Sequence, residues 1–97
     1  MLVRHTDKKL ERLETDLQFR AGFGPDVVKA FRKRMALIRA AVDERAFYAM
    51  KSLHYEKLKG DRGHQRSMRL NDQFRLLVEL EVILEKTIVI ISIEDYH

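Results

Sequence analysis

The stretch FRLLVELEVILEKTIVIISIE, residues 74–94, decides the fold class. Its first part, Phe74 to about Leu84, is long and rich in residues that suit a pleated backbone, which predicts an extended strand. Glu85-Lys86 is a short polar pair able to reverse the chain. The run Thr87 to Glu94 is then β-branched on both alternations, with Ile88 and Ile90 on one side and Val89, Ile91 and Ile93 on the other. A strand that is apolar on both sides belongs where both faces are covered, so this run is expected at the centre of a sheet.

Outward from this hairpin the signals stay regular. Asn71-Asp72 marks a turn, and Gln65 to Leu70 alternates as a half-buried strand does. Lys59-Gly60-Asp61-Arg62-Gly63 reads as a loop. The N-terminal half has helical spacing instead. Thr6 or Asp7 can cap a helix running to about Asp16, with Leu10, Leu13 and Leu17 on one face. Gly22-Phe23-Gly24-Pro25 ends that segment, and a second helix starts near Pro25 with a stripe of Val27 or Val28, Phe31, Met35, Ile38 and Val42. A short turn over residues 44–50 is expected to carry Phe47 and Met50 inward. Helices first and a meander after them predict an α+β domain, its N-terminal helices packed on one face of a small, mainly antiparallel sheet.

A chain of 97 residues supports one hydrophobic core, hence one domain over residues 1–97. Cysteine is absent, which excludes disulfides and thiolate metal sites. The first ten residues carry Arg4, Asp7, Lys8 and Lys9, unlike a secretory leader, and no apolar stretch approaches the roughly 20 residues that cross a bilayer. A soluble, cytoplasmic protein is expected.

The formal net charge of +4 is modest, but its placement is uneven. Lys51, Lys57, Lys59, Arg62, Arg66, Arg69 and Arg75 face only Glu56, Asp61 and Asp72 in residues 51–75, and the sign reverses after Arg75. Clustered cations attract phosphates and release their counterions, so this segment is either a polyanion-binding surface or a solvated basic face.

The chain closes on Glu94-Asp95-Tyr96-His97. An acid, a phenol and an imidazole at the end of a buried strand place three proton-handling groups on a rigid support. Period two puts Asp95 and His97 on one face and Tyr96 on the other. The chain's own carboxylate and Asp95 both favour the protonated imidazole of His97, as a proton donor requires. Together with the cations, such groups suit metal-free RNA cleavage, in which a base deprotonates the ribose 2′-hydroxyl, that oxygen attacks the phosphate, and an acid protonates the leaving oxygen. DNA lacks the attacking group. His5, His54, His64 and His97 match no metal-ligand spacing, and no phosphate-binding glycine signature is present. No cofactor is expected.

Three ordered segments carry a resemblance. Leu58-Lys59-Gly60-Asp61-Arg62, then residues 67–75 from Ser67 to Arg75, then Asp95-Tyr96-His97 are similar to the HigB toxins of the RelE/ParE-like superfamily, over roughly the C-terminal half of the chain. The resemblance implies the RelE-like toxin fold and a toxin that enters the ribosomal A site and cuts translated messenger RNA. It also implies a helix-turn-helix antitoxin of HigA type, operator DNA being reached only through that antitoxin. By position, it implies that Asp95, Tyr96 and His97 form the catalytic cluster, with Arg75 the arginine of the penultimate strand. Lys57, Lys59, Arg62, Arg66 and Arg69 are then the expected RNA contacts. The chain departs from the family's pattern where some members carry a histidine two residues before the leucine of Leu58-Lys59-Gly60. That position is Glu56, and His54 lies two residues earlier, so either is a candidate for the second proton-transfer group. A ParE-like inhibitor of DNA gyrase with the same fold is the alternative, against which the Asp-Tyr-His ending speaks.

Overall fold

The computed structural model describes residues 1–95. Two long strands, β4 (Phe74–Val82) and β5 (Lys86–Asp95), pair antiparallel from Phe74↔Asp95 to Val82↔Lys86. The strand β3 (Gln65–Arg69) lies antiparallel to β4, and the two-residue β2 (Glu56–Lys57) lies antiparallel to β3. On the other side of β5 runs β1 (Leu2–His5), parallel to it, giving a five-stranded mixed sheet in the order β1-β5-β4-β3-β2. β5 is therefore internal to the sheet, as its two-sided apolar pattern predicts, and Ile88, Val89 and Ile90 are buried.

β1 was hidden in the sequence by its charges. Four residues with an arginine and a histidine do not read as a strand, yet the alternation is there: Val3 and His5 are half-buried, while Leu2 and Arg4 face outward. A second departure lies in β5. The register steps from Val78↔Ile90 to Leu77↔Ser92, so Ile91 is the extra residue of a bulge. The bulge moves Ile93 from the Val89 side, where strict alternation puts it, to the face of the core that Ile88 and Ile90 fill.

Helices cover that one face. α1 (Lys8–Thr15) starts at Asp7, whose carboxylate accepts from the Lys9 backbone N–H at 2.7 Å. α2 (Pro25–Ala40) has proline in its first turn and buries Phe31, Met35 and Ile38 completely. Burial of each such side chain contributes about 1.5–3 kcal/mol. Arg32 locks the connection between the helices: its Nε donates to the Leu13 carbonyl at 3.0 Å, and its Nη2 donates to the Asp16 and Phe19 carbonyls at 2.9 and 3.0 Å. A cation on the last carbonyls of α1 satisfies groups that the helix leaves orphaned. α1 stops at Thr15, so Leu17 falls outside its apolar face and is 74% exposed. Val42 likewise lies beyond the end of α2 and is exposed. The short α3 (Arg45–Ala49) inserts Phe47, but Met50 follows its last turn and is exposed rather than inward.

Candidate functional site

The sheet face away from α1 and α2 carries the polar chemistry. Ser67 and Arg75 are the buried polar side chains among the described residues, and they touch: Arg75 Nε donates to Ser67 Oγ at 3.0 Å. A buried guanidinium needs acceptors for a fork of five N–H groups. Arg75 Nη2 finds one in the backbone carbonyl of His54 at 2.6 Å and lies 3.5 Å from Glu56 Oε1. His54 ends a 3-10 turn over Lys51–Leu53 and sits at φ 46°, ψ 47°, a left-handed conformation unusual outside glycine. Its neighbours Leu53 and Tyr55 are buried on either side, which leaves the imidazole exposed. His54, Arg69, Asn71, Asp72 and Arg75 line one cleft of about 250 Å³.

Most of the cations expected to contact RNA are held by acids. Arg62 pairs with Glu94 at 2.8 Å and donates to Gln65 Oε1 at 3.2 Å. Arg69 pairs with Asp72, and its Nε donates to the Asn71 carbonyl at 3.3 Å. Arg66 turns to the helix-covered side, where it meets Glu44 at 3.1 Å beside the Tyr55 hydroxyl, which donates to the same carboxylate oxygen. Burial first, and Glu44 second, push the Tyr55 phenol well above its ordinary range, so it stays a donor. Arg66 is thus tied to Glu44 and Tyr55 and does not line the cleft. Lys57 is the register neighbour of Arg66, and both Lys57 and Lys59 are exposed without an ion-pair partner among the described residues. Arg34, from α2, donates to the Arg69 carbonyl at 2.9 Å; burial chiefly, and the Arg69 charge next, lower its pKa.

Asp95 closes β5 opposite Phe74, one residue along from the Arg75↔Glu94 pair, and accepts from Gln73 Nε2 at 3.0 Å. It therefore stands at the same end of the sheet as Arg75. Tyr96 and His97 lie outside the described residues. The fold gathers His54, Arg69 and Arg75 around one cleft, with Glu56 3.5 Å from Arg75, while Arg62 pairs with Glu94, the register partner of Arg75. Sequence reasoning missed Ser67, and it took Asn71 and Asp72 for a turn alone. The available signal was an arginine in the apolar first half of a strand, Phe74–Val78, which obliges the neighbouring strand to supply an acceptor.

An antiparallel meander closed by a parallel N-terminal strand, with helices on one face, is the α+β fold of the YoeB/RelE type of toxin. Among solved structures, the chain matches a YoeB/ParE toxin from Agrobacterium tumefaciens with a TM-score of 0.56 and 19% identity over the whole of both chains. It also matches the RelBE2 toxin-antitoxin complex of Mycobacterium tuberculosis, with a TM-score of 0.50 and 16% identity over 97% of this chain and 95% of that one. At these identities the likeness is one of fold. No family model and no curated protein matches the sequence. Among the described residues no helix is long and apolar enough to cross a membrane.

Proposed function

We propose that this chain is the toxin of a type II toxin-antitoxin pair, and that it cleaves messenger RNA on the ribosome by attack of a ribose 2′-hydroxyl on the adjacent phosphate. The observation that carries the reading is Arg75, a buried guanidinium held by Ser67 and the His54 carbonyl at the wall of a cleft that His54 shares. A preorganised cation in a partly dry site stabilises the charge that builds on a phosphate, and its loss costs about 10²–10³ in rate.

In this mechanism His54 takes the proton of the 2′-hydroxyl. The oxygen closes onto phosphorus, and the 5′-oxygen leaves with a proton from His97, giving a 2′,3′-cyclic phosphate and a 5′-hydroxyl. Glu56 is the less suitable base because its carboxylate already faces Arg75. Tyr96 orients or stacks on a base, Asp95 positions the terminal cluster, and Lys59 steadies the phosphate beside Arg75. Lys57, Arg62 and Arg69 guide the strand. A helix-turn-helix antitoxin of HigA type keeps the toxin silent in the cytoplasm.

Expression in bacteria with mapping of RNA ends tests this. Wild type is expected to arrest growth with cuts inside translated messages, and Arg75→Ala and His97→Ala to lower cleavage by about 10²–10⁴. Equal arrest by wild type and His97→Ala removes the catalytic assignment. Intact messages with a DNA-damage response replace it by a gyrase inhibitor of the same fold.

A further inference from the structure

We infer that Ser67 is a positioning residue that acts through Arg75 on His54. Its consequence for rate rests on the ribonuclease reading; the arrangement itself rests on geometry. Ser67 is 1% exposed in the middle of β3, paired in register with Leu77 on one side and Glu56 on the other. A hydroxyl there costs free energy unless it is used, and an alanine or valine fills such a place at no polar cost. Its use is specific. By accepting from Arg75 Nε at 3.0 Å it fixes the plane of the guanidinium, and the plane fixes where Nη2 points. Nη2 points at the His54 carbonyl, 2.6 Å away.

That carbonyl belongs to a residue in a strained conformation. A histidine at φ 46° persists only when its surroundings over-determine it. Four anchors do so here: Leu53 in the core before it, Tyr55 in the core after it, the His54 N–H donating to the Lys51 carbonyl at 3.1 Å, and the Arg75 fork on its own carbonyl. With the backbone clamped, the imidazole is left to line the cleft. The relay therefore runs from Ser67 Oγ to Arg75, from Arg75 to the His54 carbonyl, and from the His54 backbone to the direction of its ring.

The test combines spectra with kinetics. In the full chain, NMR of wild type is expected to show a slowly exchanging Arg75 Nε–H. Ser67→Ala should speed that exchange and shift the His54 ring signals, with core methyl signals such as those of Ile38 and Ile88 unmoved. Arg75→Lys, which has no fork, should give the same His54 shift, and the double variant Ser67→Ala/Arg75→Lys no more than either alone. In ribosome-dependent cleavage, Ser67→Ala should lower kcat by about 100-fold with little change in KM, because misplacement of a reacting group by about 1 Å is felt on that scale. Ser67→Thr, which keeps the acceptor, should recover both signals and rate. His54 signals that Ser67→Ala and Arg75→Lys leave in place overturn the relay. A wild type that cuts no RNA ends the ribonuclease reading, and the spectra alone then decide the relay.

Discussion

On the proposed mechanism, His54 sets function against stability in a single residue. An L-residue in the left-handed region costs roughly 1–2 kcal/mol, part of which glycine gives back through the entropy of the unfolded chain. His54→Gly is therefore expected to raise the unfolding free energy in urea by about 0.5–1 kcal/mol while removing cleavage. His54→Ala should remove cleavage with no such gain, because alanine keeps the strain. A second residue gives the molecule a defined response to acid. Glu14 accepts from Arg39 Nε and Nη2 at 2.6 and 2.9 Å and lies 2.9 Å from His5 Nε2. The Arg39 hydrogen bond lowers its pKa against an opposing effect of burial, and His5 adds to the lowering. A carboxylate whose folded pKa lies below its ordinary value of 4.5 stabilises the fold above that pH, and the contribution is lost as pH falls through the folded value. Thermal unfolding from pH 6 to pH 3 should show this loss in wild type, with a shallower decline in Glu14→Gln.

At the scale of elements, the bulge in β5 separates two adjacent isoleucines. Ile90 is fully buried on the helix-covered face, whereas Ile91 is the unpaired residue and only partly covered. Ile90→Ala is expected to cost about 2–5 kcal/mol and Ile91→Ala under about 1 kcal/mol, read from urea midpoints at constant slope. Comparable losses at the two positions contradict the register. The hairpin of residues 74–94 was legible because a double alternation of β-branched residues has one stable solution, the inside of a sheet. The bulge was not, since the four isoleucines and valines of residues 88–91 do not say which one is extra. Leu17, Val42 and Met50 show the same limit in the helices. Spacing put them on apolar faces, and the true helix ends, set by the Arg32 cap and by the turns after α2 and α3, leave them exposed.

Across the whole molecule, the basic segment that the sequence marks out is largely neutralised once folded. Glu94, Glu44, Asp72 and Glu56 stand against Arg62, Arg66, Arg69 and Arg75 in turn. The Arg62–Glu94 and Arg66–Glu44 pairs join residues far apart in the chain, so counting charges along residues 51–75 could not reveal them, whereas Asp72 and Glu56 were already in that count. Among the described residues Lys57 and Lys59 have no ion-pair partner, and on the proposed ribonuclease reading they should dominate the counterion release when single-stranded RNA binds. Each phosphate neutralised adds about 0.7 to the slope of log K against log salt. Lys57→Ala/Lys59→Ala is expected to lower that slope by about 1.4, and Arg66→Ala to leave it unchanged. Fluorescence anisotropy at several salt concentrations measures both. The parallel pairing of residues 2–5 with residues 87–90 carries a consequence in time. Residues 2–5 have no strand neighbour until residues 87–90 are available, and closing so long a loop is entropically slow. Docking of β1 is therefore expected to follow formation of the β4–β5 hairpin. Until then the edge of β5 that β1 covers stays open, a transient binding edge that the folded molecule no longer offers.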